Sequence, residues 1–418
     1  MDEQILGIVF PVFSQTFTTL IMPSDRQSAF QPHPKPPTAL GVLRVLSSRA
    51  GVRVSPLVLG AMSIGDKWND FMGSMSKEDS FKLMDAYFEK GGNFIDTANN
   101  YQDETSEQFI GEWMEARNNR DQIVLATKYT TCFKVVDPDI KQTANYVGNS
   151  TKSMHVSLKH SLKKLKTDYI DILYVHWWDF DTSIEEIMDS LHNLVVSGKV
   201  LYLVNANSVL DFGVSDTPAW VVSQANQYAR AYGKTPFVIY QGKWGITDRS
   251  FERDIIPMAR ANGLAIAPWN VIGGGRLRTD EEEERREKSG ENGRSMHGPE
   301  WKRTPEEVKI SRALEKVAKE VGVKNISTVA IAYVLHKTTN VFPIIGGRKV
   351  EHLEQNIEAL DVSLTDEQIK FLESEAPSFD PGFPFTMIGD GTNIFHLLAA
   401  GTYFQRQPYP KPLGPPQK

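Results

Sequence analysis

Short runs of β-branched and aliphatic residues recur along the chain, separated by amphipathic stretches. They are SPLVLGA near residue 55, NFID at 93, IVLATK at 123, YIDILYVHW at 169, VLYL at 200, FVIYQ at 237, LAIAPW at 264 and FPIIGG at 342. Each is nearly continuous in apolar residues, the pattern of a strand buried on both faces of a parallel sheet. Between them KEDSFKLMDAYFEKGG, SMHVSLKHSLKKLK, IEEIMDSLHNLVVSGK and FERDIIPMARANG read as helices, and Gly91, Gly198 and Gly263 stop three of them. Eight strands alternating with helices predict an α/β chain closed as a (β/α)8 barrel. A doubly wound sheet would want a Gly-rich turn after its first strand, and LGAMSIGDKW has no G-x-G-x-x-G.

The pattern fades at both ends. Residues 1–37 close on the proline-rich QPHPKPP and read as a flexible extension; 38–380 carry the barrel; 381–418 form a Pro-, Gly- and aromatic-rich tail expected to pack on it. The seventh unit is irregular, with about thirty charged residues after LAIAPW that read as a solvated loop or frayed helix. Composition narrows the class further. Apolar residues make up 40% and charged residues 23%, as in a folded soluble chain. A net charge of −6 gives no footprint for nucleic acid. The single cysteine, Cys132, suits a reducing compartment, and no structural zinc or other metal site is expected. No run approaches the roughly 20 apolar residues of a membrane span, and the acidic start MDEQ is unlike a secretory leader, so a cytoplasmic location is expected.

Functional side chains of such a barrel sit at the C-terminal ends of its strands. There NFID ends in Asp96, IVLATK in Lys128, DILYVH in His176 and FVIYQ in Gln241, and Tyr101 follows Asp96 in the adjoining loop. Taken singly, each has a bland reading as a cap, an exposed strand end or a packing residue. Their joint placement at one mouth does not. A phenol near pKa ~10 is a poor acid until an ammonium lowers it, and an aspartate can hold that ammonium. A histidine beside the phenol can orient a carbonyl oxygen. The set suits hydride addition to a carbonyl.

The segments GNFIDTANNYQDETSEQFIGEW, VLATKY, DILYVHWW, GVSDTPAWVVSQANQYAR and PIIGGRKVEHLEQNIEAL resemble the aldo-keto reductases. Within them the chain is most similar to the fungal aryl-alcohol dehydrogenase and norsolorinic-acid-reductase-like branch, over about residues 38 to 410. The resemblance implies a TIM barrel of the aldo-keto reductase type, with Asp96, Tyr101, Lys128 and His176 catalytic and Tyr101 the proton donor. It implies NADPH/NADP+ as cofactor, with Asp96 beside it. Ser215, Asp216 and Gln241 would meet the nicotinamide carboxamide, although many relatives carry Asn where Asp216 stands. Trp244 would lie near the nicotinamide ring; Trp269, Asn270, Val271 and Gly274 would follow the pyrophosphate. Gly346, Arg348, His352, Gln355 and Asn356 would grip the adenosine end, and the Arg348 guanidinium suits a 2′-phosphate. Trp68, Trp177 and Trp244, with His176, would line the substrate mouth. The implied activity is interconversion of an aryl or polyketide-derived aldehyde or ketone and its alcohol, in fungal secondary metabolism.

Two alternatives stand beside that activity: an NADPH-binding regulatory subunit similar to potassium-channel β-subunits, and a Schiff-base enzyme using Lys128 as nucleophile. One departure concerns the fifth barrel strand. The related pattern runs from VLYL directly into GVSD, whereas VNANSVLDF, residues 204–212, stands between Leu203 and Gly213 here. Either these nine residues are foreign to the working strand, or the strand re-forms around VLDFGV with the insertion extruded.

Overall fold

A computed structural model describes residues 31–70, 72–201, 212–289, 302–391 and 394–415. The chain divides into Met1–Lys35 and Pro36–Lys418. The expected N-terminal extension therefore lies, residues 31–37 apart, outside the described residues. In the second unit an antiparallel hairpin, β1 (Arg44–Ser47) and β2 (Ala50–Val54), precedes the barrel. The barrel strands are β3 (Val58–Gly60), β4 (Phe94–Asp96), β5 (Val124–Tyr129), β6 (Ile172–Val175), β7 (Phe212–Ser215), β8 (Phe237–Lys243), β9 (Ala265–Trp269) and β10 (Ile344–Ile345). All are parallel, in the spatial order β10-β3-β4-β5-β6-β7-β8-β9, and the bridge Ile266–Val341 closes β9 towards the β10 segment.

Two apolar layers hold this architecture. Leu46, Ala50 and Val54 of the hairpin join Phe94, Val124, Ala126, Ile172 and Tyr174 in an interior cluster, so the hairpin shares the barrel's inner core. Ile95, Leu125, Leu173 and Val175 alternate with these and belong to the larger layer packed by the helices. Side chains along a strand switch faces every residue, so this alternation fixes which residues face inward. Continuing the inward phase of β4, β5 and β6 by one step reaches Asp96, Lys128 and His176.

The helices follow sequence logic closely. Lys77–Glu89, Thr151–Lys164 and Ile184–Val196 open on Ser76, Ser150 and Ser183, each accepting from a backbone N–H one turn on. Pro305–Val321 opens with the capping box of Thr304 and Glu307. In the charged segment Asp280–Ser289 is helical, with Glu282 paired to Arg285 and Arg286 along one face. No helix among the described residues is long and apolar enough to cross a membrane. The tail touches the barrel where Arg260 lies 4.0 Å from the Tyr409 ring, and none of the tail's described residues is buried.

The fifth barrel strand departs from the expected VLYL. Val200 makes only an isolated bridge to Ile170, thirty positions earlier, while Gly213 pairs with Tyr174, thirty-nine positions earlier. The ladder thus skips nine residues between the two pairs. Apart from Phe212, residues 204–212 lie outside the described residues. The pairing with β8 is also irregular between Phe212 and Gly213. Beyond that point it is regular. Gly213 has no alternative residue, because a Cβ there would stand 2.4 Å from the Tyr174 ring.

Candidate active site

Lys128 is fully buried and is the hub of the mouth. Its Nζ donates to Asp96 Oδ1 at 2.5 Å, to the Thr97 carbonyl at 2.8 Å and to the Tyr101 hydroxyl at 3.4 Å. Burial pushes its pKa down, but the Asp96 carboxylate and the Tyr101 phenol together outweigh that and raise it. The Asp96 pairing favours the ammonium form of Lys128, the opposite of the neutral amine a Schiff-base nucleophile needs. Asp96 is paired on both oxygens, since Gln241 Nε2 donates to Oδ2 at 2.9 Å.

Tyr101 corrects one expectation. Burial raises its phenol and exceeds the lowering by Lys128, so the net shift is upward. The phenol is thus fully protonated at neutral pH, the state a proton donor needs. His176 has its ring centroid 6.0 Å from that of Tyr101, edge to face. Burial first, and then the Lys128 charge, hold its pKa down to about 3. The imidazole is neutral throughout the physiological range.

Tyr101 is placed by an unusual turn. The next three residues, Gln102, Asp103 and Glu104, all have left-handed backbone, with φ of 53°, 48° and 79°. Such conformations cost about 1–2 kcal/mol each for residues with a Cβ. Each side chain anchors the turn. Gln102, fully buried, accepts from the Lys67 and Trp68 backbone N–H groups and donates to the Met62 and Gly73 carbonyls. Asp103 accepts from the Trp68 indole at 2.9 Å, and Glu104 takes Lys134 and Lys164. Trp68 is thereby held edge to face against Tyr101 at 6.1 Å. A cavity of about 430 Å³, lined by Trp68, Asn100, Asp103, Cys132 and Phe133, opens there. That is the size range of small-molecule sites.

On the opposite side Ser215 and Gln241 are paired across β7 and β8, and both are buried. Asp216 follows with φ 41° and borders a second cavity of about 600 Å³. Solvent reaches it at the mouth, yet the protein around it raises its carboxyl to about 6 against the hydrogen bond from the Trp269 side chain. Asn270 is left-handed, and Gly273, Gly274 and Gly275 repeat that conformation at φ 60°, 62° and 88°. A Cβ on Gly275 would meet nothing within 4 Å, so the turn borders open space where a phosphate can approach backbone. Val271 is a core residue and can offer only backbone there. Arg348 is exposed and makes no ion pair among the described residues; its guanidinium lies against Gly73, where a Cβ would stand 2.3 Å from Nη1. Gly346, His352 and Gln355 lie in the same segment, Gln355 taking Thr328 on its carbonyl, while Asn356 is buried. A left-handed glycine turn and a guanidinium without an ion pair among the described residues fit a dinucleotide phosphate bearer.

Trp244 does not belong to the mouth. It is fully buried, stacked parallel to Phe251 at 6.1 Å, with its indole towards Glu252. Neither the nicotinamide nor the substrate role expected of it has any exposed surface to use. Trp177 remains accessible, and its indole N–H is committed to Thr131 Oγ1 at 3.0 Å. Gln102, Asp103 and Thr131 escaped the sequence reading, since only the polar run after Tyr101 and the Thr-Thr pair after Tyr129 hinted at them.

This inward-facing set, in a barrel of this topology, agrees with the comparison of the chain with known proteins. The aldo/keto reductase family model matches residues 56–376, and the chain belongs to that family. It is 60% identical over 378 residues to aryl-alcohol dehydrogenase [NADP(+)] of Phanerodontia chrysosporium, covering 89% of this chain and 95% of that protein. It is 50% identical over 360 residues to the aldo-keto reductase ausK of Emericella nidulans (86% and 87% covered), and 50% over 355 residues to norsolorinic acid reductase of Aspergillus flavus (85% and 86% covered).

Proposed function

We propose that this chain is an NADPH-dependent carbonyl reductase and aryl-alcohol dehydrogenase, acting on aryl or polyketide-derived aldehydes and ketones in the cytoplasm as part of fungal secondary metabolism. The observation that carries the reading is the contact of Lys128 with both Asp96 and Tyr101 at one barrel mouth, with neutral His176 beside them. Similarity to an aryl-alcohol dehydrogenase and a norsolorinic acid reductase supports the substrate class.

NADPH, when bound, supplies the hydride. Ser215, Asp216 and Gln241 would hold its carboxamide, the Trp269–Gly274 turn its pyrophosphate, and Arg348 its 2′-phosphate. The protein's own residues manage the proton. Tyr101 holds it at the phenolic oxygen, Lys128 stabilises the negative charge left there when it moves to the substrate oxygen, and His176 orients that oxygen. Asp96 keeps the buried ammonium neutralised. Trp68 and Phe133 give the substrate cavity an apolar wall for rings.

The test is an aldehyde and ketone panel followed by NADPH absorbance, with Tyr101→Phe in parallel. Wild type consumes NADPH, and the variant loses about 10²–10⁴-fold in kcat while binding NADPH unchanged. Binding without consumption by wild type would instead support a regulatory subunit.

A further inference from the structure

His176 is gripped by two consecutive threonines from the end of β5. Thr130, buried and with φ 93°, accepts the His176 backbone N–H on its hydroxyl oxygen at 3.3 Å. That oxygen also takes Asn149 Nδ2 at 2.9 Å. Thr131 Oγ1 lies 3.1 Å from His176 Nδ1 and takes the Trp177 indole N–H at 3.0 Å. The Thr131 main chain is fixed as well, because Asn99 Nδ2 donates to its carbonyl at 3.0 Å and to Ser157 Oγ at 2.9 Å.

Proton accounting then singles out a tautomer: the Thr131 oxygen has room to accept from both the indole and the ring, but its own hydrogen would then lack an acceptor among the described residues. An indole N–H can only donate, so Trp177 supplies a hydrogen to Thr131 Oγ1. The hydroxyl has one hydrogen of its own, and among the described residues the acceptor within reach is His176 Nδ1. If Nδ1 accepts, a neutral imidazole must carry its proton on Nε2. Nε2 has no partner among the described residues, so its hydrogen is free for a ligand.

We propose that Thr131 is a positioning residue for His176: held by the Trp177 indole, its hydroxyl fixes the Nε2–H tautomer and so presents a hydrogen-bond donor to the substrate's carbonyl oxygen. The inference rests on the carbonyl chemistry proposed above. It also gives Trp177 a task beyond lining the mouth, since its N–H takes one of the two acceptor positions on the Thr131 hydroxyl. A ring with the proton on Nδ1 would offer the substrate oxygen only a lone pair, which repels it.

The test is ¹⁵N NMR of the histidine ring nitrogens at neutral pH in wild type, Thr131→Val, Thr131→Ser and Trp177→Phe, with His176→Phe to assign the signal. Wild type is expected to show unprotonated Nδ1 and protonated Nε2. Thr131→Val keeps the shape but removes the hydroxyl; His176 then populates both tautomers and kcat falls by up to about tenfold, the worth of one hydrogen bond. NADPH affinity stays unchanged, and Thr131→Ser restores both readouts. Trp177→Phe shifts the tautomer partway. A wild-type ring protonated on Nδ1 overturns the inference, and so does a Val variant with unchanged tautomer and kcat. Should Thr131→Val not fold, the wild-type and Trp177→Phe spectra still decide. A tautomer shift as expected in a protein that turns over no carbonyl would instead refute the proposed function and leave the positioning intact.

Discussion

Gln241 Nε2 donates to Asp96 Oδ2 at 2.9 Å, across 145 positions of sequence. Asp96 ends β4 and Gln241 lies near the end of β8, strands that stand four apart in an eight-stranded barrel and so face each other across the mouth. The bond completes Asp96, whose other oxygen holds Lys128. A buried ammonium is tolerable only with a paired and fully hydrogen-bonded counterion. Gln241 therefore has a structural duty, and its Nε2 is committed before any cofactor arrives. Its Oε1 can accept a carboxamide N–H.

Asp216 should make the cofactor-free protein less stable at neutral pH than it need be. Although solvent reaches the side chain, the surrounding protein raises its carboxyl to about 6 in the fold, against about 3.9 in an unfolded chain, and water screens much of the resulting cost. Between those values the folded state binds more protons than the unfolded one, so stability falls as pH rises through that window. Above it the penalty is complete; below about 3.9 it vanishes. Asp216→Asn should raise the Tm of the apo protein at about pH 7.5 and leave it nearly unchanged at about pH 4. Equal shifts at both values would show that the carboxyl is not strained by its surroundings.

Removal of Gln102 should loosen the substrate side of the mouth. Its amide satisfies two backbone N–H groups and two carbonyls in the segment from Met62 to Gly73, and helps offset the three left-handed residues it begins. Gln102→Leu strands those groups and should cost about 2–4 kcal/mol in chemical denaturation. Trp68 loses its fixed contact with Tyr101, so KM for the carbonyl should rise more than the Kd for NADPH. A variant as stable as wild type would mean that the loop finds other partners.

The inward set was legible because a strand's two-residue period needs no tertiary knowledge. Once Phe94, Val124 and Ile172 are inward, Asp96, Lys128 and His176 must be too. Trp244 continues the outward phase of Tyr240 and Gly242, all three lying on Phe251, so the same period that places Gln241 inward turns this ring away from the mouth. Thr131 and His176 are 45 positions apart, and their bond depends on the β5–β6 register, which no local pattern states. The charged segment, read as loop or frayed helix, is helical at Asp280–Ser289 through pairs three and four residues apart.

Arg348 should set the choice between NADPH and NADH. Its guanidinium is exposed and has no acidic partner to give up among the described residues. A charge-assisted contact of this kind is worth about 1.5–3 kcal/mol, or roughly ten- to a hundredfold in affinity. Arg348→Ala should weaken NADPH by that factor and leave NADH nearly unaffected, as titration of cofactor fluorescence can show. Equal weakening of both would remove the 2′-phosphate from its role.

The last expectation concerns residues 204–212. Below the departure Ile170 meets a residue thirty positions on; above it Tyr174 meets one thirty-nine positions on. Deleting nine residues restores a single offset, and Gly213 then falls opposite Tyr174, the partner it already has. An insertion of odd length carried within a continuous strand would turn every later side chain to the opposite face. That is not what happens: Ser215 still pairs with Gln241, and Gly213 still lies beneath the Tyr174 ring. Of the nine residues only Phe212 contributes pairing among the described residues, to Phe237, at the irregular end of β7. The variant lacking 204–212 should therefore keep the circular dichroism of the barrel, melt no lower than the full chain, and bind and turn over NADPH at least as well. Loss of NADPH binding by the deletion variant, with the full chain binding well, would establish these residues as part of the working enzyme.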